Sequence, residues 1–205
     1  MIFDCDGVLV DSRESNVRYY NLLRLLVDLP PMPARDEHFV HTATHEEAIA
    51  RVIPAALLPN LRRAAAHVNY MRDVLPLLSP AAGLTECLDA LRGKGIALGI
   101  CTNRSESMFA LLERFSLTGY FSQVMTADRA APKPAPDGLL RILDAWGARG
   151  DEAVFVGDSH VDQQAAHNAG VRFWAFSAPE LAAEHHVGNF SELRDIISID
   201  APCVL

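Results

Sequence analysis

Two aspartates one residue apart close the short apolar segment at the start of the chain. Asp4 and Asp6 flank Cys5, and Gly7 follows them. One carboxylate of such a pair can attack phosphorus, while the other protonates the leaving oxygen and then deprotonates water. Gly7 permits the tight turn that brings both carboxylates to one pocket. Taken alone, the pattern also fits a solvated acidic turn, and a calcium loop would look similar but would carry more carboxylates nearby.

Three further polar clusters suggest binding chemistry. Thr102 and Asn103 end an apolar run ahead of a helix, where a hydroxyl and helix-start amides can hold phosphate, although a plain helix cap is the simpler interpretation. Lys133 lies among prolines and can balance an anionic transition state, or it is an ordinary surface lysine. Asp158 directly follows an apolar run, which suits a ligand of a hard cation or an N-cap.

Taken together, the four clusters predict a phosphoryl-transfer site. A phosphate dianion repels an aspartate, so the attack requires Mg²⁺ to bridge nucleophile and phosphate and to offset their charge. The mechanism needs a nucleophile, an acid/base, a cation site, a phosphate site and a positive counter-charge, and each is present once. The sequence therefore predicts Mg²⁺ as the cofactor and a small phosphorylated metabolite as the partner.

The elements that must position these residues alternate between apolar runs and amphipathic helices. Runs at 1–3, 96–101, 153–156 and 171–176 are apolar throughout, as buried parallel strands are. Helical patterns between them stop at glycines, among them Gly93, Gly147 and Gly170. This alternation predicts an α/β fold with a doubly wound, Rossmann-like parallel sheet. Ligands bind at the carboxyl ends of such strands, where Asp4, Thr102 and Asp158 would lie.

Residues 14–78 break the alternation and predict an inserted small helical cap. A helical pattern covers 14–28, a capping box at Thr44 opens a second helix, and a third runs from Pro59 to Val74. The predicted organisation is a catalytic core of residues 1–13 and 79–205 with a helical cap of residues 14–78.

Composition narrows the partners. The net charge of −8 argues against a nucleic-acid binder, because phosphate backbones are bound by dense Lys and Arg. The longest apolar runs are too short to cross a bilayer, so no membrane association is expected. The four cysteines have no metal-binding spacing, which favours a reducing cytoplasm. A monomer or homodimer is expected.

The chain resembles the haloacid dehalogenase superfamily, in the branch with a small helical cap that contains the phosphoglycolate phosphatases. The matching stretches are FDCDGVLVDS (3–12), ICTNRS (100–105), KPAPDGL (133–139) and VGDSHVDQQAAHNAG (156–170). They span nearly the whole predicted core in the family's order and spacing.

The resemblance assigns roles to individual residues. It implies Asp4 as the nucleophile and Asp6 as the acid/base, with Mg²⁺ held by Asp4, the main-chain carbonyl of Asp6 and Asp158. Phosphate would be bound by Thr102, Asn103 and Lys133. Residues expected to support the site from behind are Gly7, Ser159 and Asp162, and candidates for substrate contact are Asn16 and His45. Arg104 is a further candidate from its position after Asn103, although a solvated arginine at the start of a helix is an equally good interpretation.

Within the superfamily the sequence favours a phosphatase acting through a phospho-aspartyl intermediate on a phosphoglycolate-like monoester. Dehalogenases lack the second aspartate, which is present here as Asp6, and phosphonate-cleaving relatives use a cap lysine, which residues 14–78 lack. A sugar-phosphate mutase resembling β-phosphoglucomutase is the alternative, but Asn16 and His45 stand where such mutases carry histidine and arginine. From a different class, a non-catalytic phospho-accepting signalling or interaction module also remains open.

Overall fold

The computed structural model of the chain describes residues 1–42, 45–64, 68 and 70–199. It separates into two compact units, one formed by Met1–Val10 together with the chain from Pro80 onward, the other by Asp11–Ser79. The sequence-based boundaries lay at 13/14 and 78/79. Within the described residues, none of the helices has the length and hydropathy that crossing a bilayer requires.

The first unit is built on a six-stranded parallel sheet. The strands of the chain are β1 Ile2–Phe3, β2 Val10–Asp11, β3 Ser79–Pro80, β4 Gly99–Cys101, β5 Gln123–Met125, β6 Val154–Gly157, β7 Arg172–Phe176 and β8 His185–Val187. Six of them form the order β5-β4-β1-β6-β7-β8 with parallel pairing throughout, while β2 and β3 pair with each other. The chain runs outward from β1 to one edge and then returns to build the other edge from β6. This order is doubly wound, so the predicted fold is confirmed, and the switch point lies between β1 and β6.

Helices cover both faces of this sheet. They are α6 Leu84–Gly93, α7 Ser107–Arg114, α8 Asp137–Trp146, α9 His160–Ala169 and α10 Phe190–Ile199. The two residues of β1 show why the strands are apolar throughout. Ile2 packs into the cluster that contains Leu139 of α8 and Ala165 of α9, whereas the ring of Phe3 lies 6.1 Å from that of Phe190 on α10. Successive strand residues point to opposite faces, and here both faces are buried.

Most of the glycines that end helices were predicted from the sequence. Gly147 and Gly170 follow α8 and α9 in the left-handed conformation, which closes a helix without a Cβ clash. Gly93 is an exception: it belongs to α6, and Gly95 takes the positive φ two residues later.

The second unit is helical. Its helices are α1 Arg13–Leu25, α2 Ala34–Thr42, α3 His45–Val52, α4 Leu58–Ala64 and α5 Tyr70–Asp73. Residues of α1, α2, α3 and α4 share a small core, among them Tyr20, Val40, Ala48 and Leu61. The α2 helix was not predicted. The Thr44 capping box and parts of the predicted helix from Pro59 to Val74 lie outside the described residues.

Candidate active site

Asp4 lies at the carboxyl end of β1, at the switch point of the sheet. Its N–H donates to the Val156 carbonyl at 2.9 Å, which extends the pairing of β1 with β6 by one residue. The chain then turns sharply, with the Gly7 N–H donating to the Val10 carbonyl at 3.0 Å. The turn leaves Asp4 buried, at 7 % exposure. A buried carboxylate at the carboxyl end of a central strand is positioned to act on a ligand rather than to be solvated.

Lys133 provides the positive charge of the site. It is 5 % exposed, and its Nζ lies 2.7 Å from Asp4 Oδ1. The same ammonium donates to Asp162 Oδ1, while Asp162 Oδ2 accepts hydrogen bonds from the N–H and hydroxyl of Ser159. Lys133 is therefore not the surface lysine of the simpler interpretation. Asp162 and Ser159 hold it in place from behind.

Asp158 completes a group of three carboxylates. It follows β6 directly, and oxygen atoms of Asp4, Asp158 and Asp162 all lie within 4.8 Å of one another. Burial raises the pKa of Asp158 to about 8, and the negative charges of Asp4 and Asp162 add to that rise. Burial likewise raises the pKa of Asp4 above its usual range, although Lys133 acts in the opposite direction. So much negative charge in a buried site is stabilised by a cation.

The donor set fits a hard divalent cation. Mg²⁺ prefers carboxylate oxygens and is commonly held by one or two of them. Asp4 and Asp158 offer such oxygens, whereas both oxygens of Asp162 already accept hydrogen bonds. Gly7 leaves the space that the Asp158 carboxylate fills, because a Cβ on Gly7 would lie 1.8 Å from Asp158 Oδ2. The residues present therefore match the predicted cation site.

The loop after β4 faces the same edge of the sheet. Thr102 is buried, and its N–H donates to the Met125 carbonyl at 3.0 Å. The Asn103 side chain forms two hydrogen bonds with the main chain of Lys133, donating to its carbonyl at 3.0 Å and accepting from its N–H at 2.7 Å. Asn103 thus fixes the loop that carries Lys133.

Arg104 lies on Asp6. Its Nε donates to Asp6 Oδ2 at 3.2 Å, and its Nη2 donates to Asp6 Oδ1. The two side chains therefore form a bidentate ion pair within the core unit. Sequence reasoning placed Arg104 among the candidates for substrate contact and did not find this pair.

The other two candidates for substrate contact belong to the helical unit. Asn16 is half-buried on α1, where its N–H donates to the Ser12 carbonyl at 2.8 Å. His45 begins α3, and its ring lies against Tyr19 and Tyr20 at centroid distances of 5.8 and 6.0 Å. Their contact with substrate stays a prediction.

Replacement of Gly7 tests how closely the turn and the cation site are coupled. We expect Gly7→Ala to lower stability by about 1–2 kcal/mol, because φ is +77° there and L-residues are strained in that region. It should also weaken Mg²⁺ binding, since the new methyl group displaces the Asp158 carboxylate. Gly83→Ala is the matched control: φ is +75°, but the nearest atom to an added Cβ lies at 3.7 Å. Thermal unfolding and calorimetric Mg²⁺ titration of both variants check this, and equal Mg²⁺ affinity in the two would contradict it.

Comparison with known proteins agrees with this geometry. A family model described as haloacid dehalogenase-like hydrolase matches residues 1–176, which is most of the chain. The chain belongs to the haloacid dehalogenase-like hydrolase family. The predicted family membership and the prediction of a hydrolase are thereby confirmed.

Similar proteins are found at moderate identity. A phosphoglycolate phosphatase of Rhodospirillum rubrum is 36 % identical over 188 residues, covering 83 % of this chain and 76 % of that protein. One of Caulobacter vibrioides is 33 % identical over 178 residues, covering 82 % and 75 %. The crystal structure of a haloacid dehalogenase-superfamily hydrolase from Geobacter sulfurreducens is 38 % identical, with a TM-score of 0.81 over 95 % of this chain and 97 % of that one.

Proposed function

We propose that this protein hydrolyses a small phosphoglycolate-like monoester through a phospho-aspartyl intermediate on Asp4, with Mg²⁺ as cofactor. The observation that carries the proposal is the buried Asp4 carboxylate at the end of β1, beside the Lys133 ammonium and within reach of Asp158. The relatives named phosphoglycolate phosphatase, at 33 % and 36 % identity, support the substrate class.

The proposed reaction has two displacements at phosphorus. In the first, an Asp4 oxygen forms a bond to phosphorus, the ester P–O bond breaks, and Asp6 gives its proton to the departing oxygen. In the second, Asp6 takes a proton from water, the water oxygen bonds to phosphorus, and the bond between phosphorus and Asp4 breaks. The products are an alcohol and inorganic phosphate, and both carboxyl groups return to their starting states.

The remaining residues bind and neutralise the phosphoryl group. Lys133 offers a buried ammonium beside the attacking oxygen, where it offsets charge that develops in the transition state. Thr102 offers a hydroxyl from the adjacent loop, and Asn103 acts by fixing the Lys133 main chain. Asp162 and Ser159 keep the ammonium directed toward Asp4.

Mg²⁺ would be held by the Asp4 and Asp158 carboxylates, with the Asp6 main-chain carbonyl as the third ligand that the family pattern implies. When bound, the ion offsets the repulsion between the Asp4 carboxylate and the phosphate dianion.

A phosphate-release assay tests the proposal. The purified protein should release inorganic phosphate from 2-phosphoglycolate and from p-nitrophenyl phosphate when Mg²⁺ is present, and EDTA should abolish release. A mutase would move the phosphoryl group without net release, and a signalling module would stop after one phosphate per chain. Full activity in excess EDTA would contradict the metal-dependent mechanism.

Replacement of Asp158 is expected to weaken the cation site while the fold remains intact. Asp158→Asn removes one of the two carboxylates that would hold Mg²⁺, so the half-saturating Mg²⁺ concentration should rise about 10- to 100-fold. Without metal, the variant should unfold at the same temperature as wild type, because the amide has the same size and the raised pKa leaves the Asp158 carboxyl largely uncharged near neutral pH. Activity against Mg²⁺ concentration and calorimetric titration measure this. An unchanged Mg²⁺ dependence would place the ion elsewhere.

A further inference from the structure

The pair between Arg104 and Asp6 joins a buried guanidinium to a more exposed carboxylate. The Arg104 side chain is 9 % exposed, whereas that of Asp6 is 30 % exposed. The guanidinium donates two parallel hydrogen bonds to the two carboxylate oxygens. Any carboxylate can accept this pair of hydrogen bonds. Asp6 is therefore the member of the pair that an incoming molecule can reach.

Arg104 is fixed by its main chain. Its N–H donates to Thr102 Oγ1 at 3.1 Å, and its carbonyl accepts from the Ala127 N–H at 3.0 Å. Neighbouring Asn103 is bonded twice to the Lys133 main chain. The guanidinium thus keeps its place relative to Lys133 and Thr102, while Asp6 lies in the sharp turn after β1, where it forms an isolated bridge with Val10.

A buried guanidinium requires an anionic partner at all times, because arginine does not lose its charge in proteins and an unpaired buried charge is costly. The proposed chemistry needs the Asp6 carboxylate at the leaving oxygen. When Asp6 turns toward that oxygen, a carboxylate of the substrate offers Arg104 an anionic partner of the same kind.

We propose that Arg104 is a specificity-determining residue that binds a carboxylate of the substrate in exchange for Asp6. This inference rests on the proposed phosphatase function and deepens it. In the absence of substrate, Asp6 occupies the position of the substrate carboxylate. The substrate carboxylate takes over the two guanidinium bonds. The displaced Asp6 carboxylate, no longer paired with a positive charge, takes up a proton from water and gives it to the leaving oxygen.

The exchange favours a substrate whose carboxylate lies close to its ester oxygen. The leaving oxygen must come within about 2.6–3.2 Å of an Asp6 oxygen for proton transfer. A 2-phosphoxy acid, with one carbon between the ester oxygen and the carboxylate, presents both groups together, one to Asp6 and the other to Arg104.

The test compares two esters of matched size. The first is 2-phosphoglycolate, and the second is ethyl phosphate, which has the same chain length and no carboxylate. We expect the wild-type kcat/KM to favour 2-phosphoglycolate, and Arg104→Met to reduce the ratio of the two kcat/KM values about 10- to 100-fold, the effect of losing hydrogen bonds to a charged group. Arg104→Lys keeps the charge without the planar fork, so it should retain part of the ratio and raise KM for 2-phosphoglycolate more than it lowers kcat.

Arg129→Met is the control for loss of an arginine. Arg129 pairs with Glu106 through a similar bidentate contact, with Nε at 2.8 Å and Nη2 at 3.2 Å, and its side chain is 47 % exposed. It takes no part in the proposed chemistry, so its variant should keep the wild-type ratio. Inhibition by inorganic phosphate is measured in parallel for every variant.

Each outcome decides a separate point. An unchanged ratio of the two kcat/KM values in Arg104→Met overturns the inference. So does a loss of inhibition by inorganic phosphate that equals the loss of kcat/KM for 2-phosphoglycolate, because Arg104 would then bind the phosphoryl group. If Arg104→Met does not fold, Arg104→Lys decides the point. A wild-type ratio of the two kcat/KM values in Arg104→Lys, together with a wild-type KM for 2-phosphoglycolate, then overturns the inference. The proposed phosphatase function fails separately, when wild type releases no phosphate from any ester in Mg²⁺.

Discussion

Asp4→Asn should abolish turnover and leave the fold intact. An amide of the same size cannot attack phosphorus, so kcat should fall by about 10,000-fold or more, as it does when a covalent nucleophile is removed. Lys133 keeps Asp162 as its partner in the variant, so the ammonium is not left buried without a counter-charge. The temperature of unfolding should therefore stay close to that of wild type.

The intermediate provides a direct readout. Mass spectrometry of acid-quenched wild-type enzyme should find a phosphoryl group on the peptide that contains Asp4, and the variant should carry none. Asp144→Asn makes the same chemical change on the exposed side of α8 and should retain full activity. Near-wild-type turnover in Asp4→Asn, or a phosphorylated peptide elsewhere, would rule out the covalent mechanism proposed here.

That the site residues lie close together could be predicted, because they follow the carboxyl ends of predicted strands. Asp4, Thr102 and Asp158 each come directly after an apolar run, and in a doubly wound sheet those ends meet at one edge. Lys133 has no such signal. The sequence offered only its place among prolines, which an ordinary surface lysine would also explain, and its burial between Asp4 and Asp162 became visible only in the structure.

The pairings between loops could not be predicted from sequence. Asn103 and Lys133 are 30 residues apart, and Asp6 and Arg104 are 98 residues apart. The spacing of hydrophobic residues and the positions of turn residues predict local secondary structure. They do not indicate which distant loop a side chain will contact. These long-range hydrogen bonds place the Asn103 side chain on the main chain of Lys133 and the Arg104 side chain on Asp6, and the sequence predicted neither contact.

Elements at the edge of the sheet were missed for a different reason. The β5 strand is only three residues long and half-buried, and β8 begins with two histidines that read as surface residues. Neither has a continuous apolar run. Edge strands pair on one side and are covered less completely, so their composition is close to that of a loop.

Asp6→Asn should separate the two displacements at phosphorus. Without an acid, the first displacement should slow about 100- to 10,000-fold for an alkyl ester, whose leaving oxygen needs a proton. It should slow much less for p-nitrophenyl phosphate, because p-nitrophenolate leaves without one. The second displacement needs Asp6 as base for either substrate, so p-nitrophenyl phosphate should give a burst of one phenolate per enzyme and then a slow steady rate.

Quenched-flow measurement of the first turnover distinguishes this role from a structural one. Asp6→Asn also breaks the pair with Arg104, so a loss that comes only from that broken pair should appear in Arg104→Met as well. Arg104→Met retains the carboxylate of Asp6 and should therefore show no burst. Glu106→Gln, which weakens the similar surface pair with Arg129, should behave as wild type on both substrates. Equal first-turnover losses on alkyl and aryl esters, with no burst in Asp6→Asn, would mean that Asp6 supports the turn after β1 and transfers no proton.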